Sequence, residues 1–192
     1  GVTPRVNMAP KGSRLARQTL KDARRDLEAA RRLLAVWHLR GEEGLDRDSS
    51  LWLRWETEAA ERGCVDAQAE LGDAHQHGGN YGVQVNLEVA TEWYRKAALQ
   101  GHAGGCYNMG VAFERGTGVE VNFATAADWY RKAVSLGEVM AMTNLGHLLS
   151  LGRPGLEQDC DAAAEVYLEA IERGSVEALW SMGLMYYRKA ND

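Results

Sequence analysis

The side chains best equipped for chemistry in this sequence are its imidazoles and thiols. His75 and His77 sit two residues apart, and His102 precedes Cys106 by four, a spacing that sets two metal ligands on one helical face. A closed zinc site needs a second pair, so these residues are read as structural and no metal is assigned. Cys64, Cys106 and Cys160 are odd in number, lie dozens of residues apart and form no C-x-x-C pair, so a secreted disulfide framework is not expected. They read as small, reduced hydrophobes. No G-x-S-x-G, Walker loop, strand-to-helix G-x-G-x-x-G or H-E-x-x-H occurs. The expectation is a non-catalytic protein with no cofactor and no small-molecule substrate.

What must position these side chains is a repeat. Gly72, Gly110, Gly146 and Gly183 recur at steps of 38, 36 and 37 residues, and Gly63, Gly101, Gly137 and Gly174 follow the same steps. Asp48, Asn86, Asn122 and Asp159 fall at N-cap positions, where a short acceptor meets the free N–H groups of a starting helix. Seven residues beyond each lie Trp55, Trp93, Trp129 and Val166, and four beyond those Ala59, Ala97, Ala133 and Ala170. The second glycine series closes each such helix, and the first marks the packed face of the helix before it. The glycine, alanine and tryptophan series are read as core. His75 takes the place that Phe113 and Tyr186 hold in other copies, and His102 follows a turn glycine.

Leu71-Gly72 through Gly78, the run Trp93 to Ala98, Asn108-Met109-Gly110 through Val119, and the run Trp129 to Ala133 resemble Sel1-like repeats, relatives of the tetratricopeptide repeat. The resemblance covers about residues 30 to 189. Tetratricopeptide units repeat at about 34 residues, and the longer period with a glycine-rich loop favours the Sel1 type. The first copy departs from the pattern with Ala35 for the first-helix glycine and Trp52 for the small residue at Ala90, Ala126 and Ala163. The fourth has Val166-Tyr167 for Trp-Tyr. The fold expected is an all-α α-α superhelix, or solenoid, of helix-loop-helix repeats. Its units span about 30–65, 66–102, 103–138, 139–175 and a partial 176–192, after a basic segment at 1–12 and an amphipathic capping helix at 13–29. Some secreted members of the family pair cysteines within each repeat, and this sequence lacks that pairing.

Charge divides unevenly. The formal net charge is -5, yet residues 1–40 carry ten Lys/Arg against three Asp/Glu and residues 41–192 carry twelve against twenty-four. An acidic body is a poor match to phosphate, which clustered Lys and Arg attract. From Ser13 to Arg40 there is no proline or glycine, and Leu20, Leu27 and Leu34 recur every seven residues. Arg14, Arg17, Lys21, Arg24 and Arg31 mark the other face of that helix. It reads as a solvated cap, as a contact for RNA or an acidic partner, or as a membrane-surface or import element. Residues 1–21 hold five Lys/Arg and no acid, which keeps a mitochondrial origin open beside the cytosol. The compartment expected is intracellular and reducing. No apolar run approaches the roughly 20 residues that span a bilayer. A presequence or preceding domain before Gly1 is compatible with the missing methionine. At the other end Leu179, Met182 and Tyr186 lack a following helix, so a longer chain or a partner is expected to cover them.

The resemblance implies that first helices line an inner, concave surface. Positions two before, one after and five after the first-helix glycine point away from the packed side at about 100° per residue. They are Glu70, Asp73 and His77; Asn108, Val111 and Arg115; Asn144, His147 and Leu151; Ser181, Leu184 and Arg188. Amides, charges and aliphatics together suit an extended peptide or a partner helix. Asn108 and Asn144, one repeat apart, could clamp a ligand backbone. The leading reading is a protein-binding scaffold within a larger assembly, ahead of an RNA-associated subunit and of a hydrolase of the kind claimed for some secreted relatives.

Overall fold

The computed structural model describes residues 14, 17, 18, 28–43 and 47–191, with the backbone alone at 28–31 and 80. Among them regular structure is helical, apart from one isolated bridge between Arg153 and Leu156. Of the expected N-terminal helix, Arg14 and Arg17 are helical and exposed, whereas Lys21 and Arg24 lie outside the described residues. The chain divides into two compact units, residues 1–85 and 86–192.

In the first unit α1 (Glu28–Arg40), which contains Arg31, packs on α2 (Ser49–Glu61) and α2 on α3 (Val65–His77), followed by a short 3-10 turn, Gly79–Tyr81. The second unit holds α4 (Leu87–Leu99), α5 (Ala103–Arg115), α6 (Phe123–Ser135), α7 (Val139–Leu151), α8 (Cys160–Glu172) and α9 (Val176–Asn191). Each packs on the next, and α5 also meets α7, as α7 meets α9, which sets these first helices side by side.

The caps are where the sequence places them. Asp48 accepts from the Ser50 and Leu51 N–H groups, Asn86 from Val89, Asn122 from Thr125 and Asp159 from Ala162, at 2.9–3.1 Å. Past each helix so begun the chain turns at a glycine of φ between +85° and +96°, a left-handed backbone that a side chain would strain. His102 does more than follow a turn. Its Nδ1 accepts the Gly105 N–H at 2.9 Å and caps α5.

The core corrects one expectation. Trp55, Trp93 and Trp129 are only half-buried, and the fully enclosed aromatics include Trp52 in α2 and Tyr94, Tyr130 and Tyr167, which follow Trp93, Trp129 and Val166. One residue further around the helix, Tyr130 and Tyr167 face Gly110 and Gly146 of their paired first helices. Trp93 and Trp129 lie nearer the surface, with Lys96 Nζ 3.8 Å and Lys132 Nζ 5.1 Å from their ring centroids. A Cβ built on Gly110 would run into the Tyr130 ring, and one on Gly146 into the Tyr167 ring. Glycine is there for close approach, not for its dihedral freedom. Ala97, Ala133 and Ala170 are wholly buried, as small contact residues must be.

The two seated tyrosines differ at their hydroxyls. Tyr130 donates to Glu114 Oε2 at 2.6 Å and accepts from Asn144 Nδ2 at 3.2 Å. Tyr167 is equally buried, and its hydroxyl meets no hydrogen-bond partner at bonding geometry, although the Ser150 and Ser181 side chains stand beside it. Burial, joined by the Glu114 carboxylate, pushes the Tyr130 phenol far up.

In the first unit Glu56 is fully enclosed within α2. Arg32 Nε donates to its Oε2 at 3.2 Å, and Oε1 has no partner. Burial outweighs the Arg32 charge and raises this carboxyl to about 7, with Glu70 and Asp66 adding to the rise.

Two outcomes follow from these buried groups. Folding raises the Glu56 pKa, so its contribution to stability is present at acid pH and is lost as pH climbs through about 7. Thermal melting between about pH 5 and pH 8 therefore shows a decline that Glu56→Gln flattens, with the variant about 1 kcal/mol or more above wild type at pH 8. Tyr130→Phe breaks two bonds and strands Glu114, costing about 1–3 kcal/mol in urea unfolding, whereas Tyr167→Phe removes an unpaired group and stays within about 0.5 kcal/mol of wild type.

Candidate protein-binding groove

The twelve expected first-helix positions do not form one uniform face, and each unit has its own arrangement. In the first unit Glu70 is half-buried and pairs with Arg32 Nη2 at 3.8 Å. It also lines a groove of about 430 Å³ with Val36, Leu39, Arg40, Arg47 and Tyr81. Burial, with Asp73 and Glu70 nearby, pushes the Tyr81 phenol up. His77 is exposed at the end of α3, its Nε2 3.4 Å from the Gln76 amide.

In the second unit Arg115 is exposed at the end of α5 and Asn108 is half-buried. Val111 departs from its expected outward placement and packs against the core cluster. Asn144 is not a free clamp, because an N–H of its amide goes to the Tyr130 hydroxyl. A paired use of Asn108 and Asn144 on a ligand backbone would draw on the other N–H and the carbonyl oxygen of the Asn144 amide.

The remaining five positions converge. His147 and Leu151 from α7, with Ser181, Leu184 and Arg188 from α9, line one groove of about 430 Å³. The 3.6-residue period of each helix brings these side chains to the same side, and the direct packing of α7 on α9 closes the gap between them. Sequence reasoning missed the floor. Tyr167 and Cys160 from α8, Ser150, Met185 and Lys189, and Gln158 from the preceding loop complete the lining. Gln158 Nε2 donates to the Ser150 carbonyl at 2.8 Å, which ties that loop to the end of α7. A signal for the floor exists in the repeat: the residue four past the first-helix glycine is Glu114 in one copy and Ser150 in the next.

Leu184 offers apolar surface at 49% exposure, and Arg188 makes no ion pair among the described residues. Lys189 Nζ reaches only the exposed Asp161, at 3.8 Å. Chemically the groove offers hydroxyls, an imidazole and two cations around an aliphatic wall. Nothing in that set pairs a nucleophile with an oriented base, since Cys160 Sγ lies toward the Ser150 carbonyl at 3.9 Å. Cys64, Cys106 and Cys160 take part in no disulfide among the described residues. Beyond the groove, the outer face of α9 leaves Leu179, Trp180 and Tyr187 more than half exposed. No helix among the described residues is long and apolar enough to cross a membrane.

Comparison with known proteins agrees with this geometry. The Sel1 repeat model matches residues 21–64, 65–102, 103–138 and 139–175. A crystal structure of a protective antigen from uropathogenic Escherichia coli, displaying an SLR fold, superposes with a TM-score of 0.84 at 30% identity. It covers 91% of this chain and 36% of that one. A Sel1 repeat protein from Oxalobacter formigenes gives a TM-score of 0.77 at 27% identity, over 89% of this chain and 68% of its own. The chitin synthase regulator SKT5 of Saccharomyces cerevisiae is 38% identical over 66 residues, which are 34% of this chain and 9% of that protein. The chain thus spans only a small part of SKT5 and about a third of the Escherichia coli antigen. Sel1 repeats serve in general as non-catalytic modules of protein–protein interaction. Four consecutive matched repeats and an all-helical structure that superposes on solved members make the chain a member of the Sel1 repeat family, of the α-solenoid fold class.

Proposed function

We propose that the protein is a non-catalytic scaffold that holds a partner polypeptide along its first helices, with the groove of α7, α8 and α9 as the principal contact. The observation that carries this reading is the convergence of His147, Leu151, Ser181, Leu184 and Arg188 on one groove with aliphatic walls and a cation free of ion pairs among the described residues. Peptide recognition uses such a mixture, with apolar contact for affinity and a few fixed polar groups for register. The opposite faces support the choice. Second helices carry Glu58 with Arg62, Glu92 with Arg95, Asp128 with Arg131 and Glu169 with Arg173, all within 2.6–2.8 Å. Exposed pairs satisfied by their own helix offer a partner little.

Among the described residues no hydrogen bond joins the groove's thiol or hydroxyls to the His147 ring, which favours binding over turnover. The SKT5 similarity suits such a role, as that protein is named a regulator of an enzyme. The reading includes a reducing compartment, in line with three cysteines that are odd in number and widely spaced.

Photo-crosslinking tests the assignment. A photoreactive residue replacing His147 or Leu184 is expected to capture a discrete partner, and one replacing Glu92 or Asp128 is expected to capture little. Equal capture from both faces, or capture from Glu92 and Asp128 alone, contradicts it.

A further inference from the structure

The groove has an internal precedent one repeat earlier, at Tyr130. There a glutamate four residues past the first-helix glycine accepts the tyrosine hydroxyl proton at 2.6 Å, and an asparagine two residues before the next glycine donates to the same oxygen at 3.2 Å. The equivalent positions around Tyr167 are Ser150 and Ser181. Replacing glutamate by serine withdraws a carboxylate and one methylene while the surrounding helices keep their places. What remains is a buried O–H without an acceptor beside a groove of about 430 Å³ that Ser150 itself lines. Ser150, whose hydroxyl donates to the His147 carbonyl at 3.0 Å, and Ser181 stand beside the Tyr167 hydroxyl, and neither meets it at bonding geometry.

The charges around the vacancy favour an anion. Arg188 has no ion-pair partner among the described residues, Lys189 touches only the exposed Asp161 at 3.8 Å, and His147 stands at the rim. Among the described residues no carboxylate side chain lines the groove. A planar guanidinium near an unmet hydroxyl is a fitting pair of donors for a carboxylate.

We propose that this groove binds a glutamate side chain of the partner polypeptide, whose carboxylate accepts from the Tyr167 hydroxyl as Glu114 does from Tyr130, with Arg188 as its counter-charge. The inference rests on the reading of the groove as the partner site and adds what the partner must present there. Glutamate is chosen because the intramolecular precedent is a glutamate and because the walls, Leu151, Leu184 and Met185, suit two methylenes above the polar floor. Residues flanking it in the partner are apolar, to rest on Leu184.

The test uses the full chain and three short probes capped by acetylation. The first is a leucine- and alanine-based hexapeptide amide with one central Glu, the second has Gln in its place, and the third is the Gln peptide with a free C-terminal carboxylate. Binding is read by NMR from the Arg188 side-chain Nε–H and the backbone amides of α7 and α9. The Glu peptide is expected to perturb these signals and to bind about tenfold or more tightly than either Gln peptide. Ser150→Glu supplies the chain's own carboxylate under Tyr167 and is expected to weaken the Glu peptide by about tenfold while raising the melting temperature. Tyr167→Phe, which leaves the fold intact, is expected to weaken it several-fold. Equal binding of Glu and Gln peptides overturns the glutamate assignment while leaving the groove a docking site, and preference for the free C-terminus overturns it likewise. Absence of any groove perturbation by all three up to about 5 mM overturns it too, whatever the cross-linking at His147 shows.

Discussion

In the second unit the distance between helices is set by an aromatic ring lying on a bare Cα. Tyr130 rests on Gly110 and Tyr167 on Gly146, each so close that a methyl group would occupy space the ring already fills. Other features answer to that contact. The buried alanines Ala97, Ala133 and Ala170 are small because ring-to-backbone packing leaves no room for longer side chains. The Asx caps and left-handed glycines start and stop the helices so that the next tyrosine arrives at the next glycine. Since the tyrosine reaches across a first helix, its hydroxyl emerges near the side on which α5, α7 and α9 lie adjacent. A packing device thereby delivers a polar group to the floor of a surface groove.

The proposed recognition follows from how that hydroxyl is answered. At Tyr130 the chain satisfies it internally with Glu114 and Asn144, and the result is a closed, structural junction. At Tyr167 the same geometry carries serines, the junction opens into a groove, and two cations stand at its edge. Repeats that share a scaffold can differ in this way at little cost to folding, because each contributes its own local packing. Recognition is then written in the departures from the repeat and stability in its regularities.

Those two kinds of information were unequally legible. Periodic glycines, Asx caps and alanines gave the helices, their turns and the family, because each residue type has one local reason to be there. The tryptophan series misled. Trp93 and Trp129 recur as faithfully as Tyr94 and Tyr130, and spacing alone does not say which of two adjacent aromatics turns inward. The outward face was read from one helix at a time, which found His147, Leu151, Ser181, Leu184 and Arg188 but could not see that α7 and α9 bring them together. It also gave no sign that one N–H of the Asn144 amide goes to a tyrosine of the neighbouring helix. Contacts between helices, and the groove floor they create, depend on interhelix geometry that periodicity does not encode.

The ring-on-glycine contact is tested most directly by adding a single methyl group at three equivalent positions and measuring unfolding free energy in urea. At Gly110 and Gly146 the new Cβ meets a tyrosine ring, so Gly110→Ala and Gly146→Ala are expected to lose about 1–3 kcal/mol through overpacking. At Gly183 nothing lies within 4 Å, and Gly183→Ala is expected to gain about 0.5–1 kcal/mol from the better helix former alone. The same gain at all three positions would contradict the account, since it would mean that no ring presses on Gly110 or Gly146.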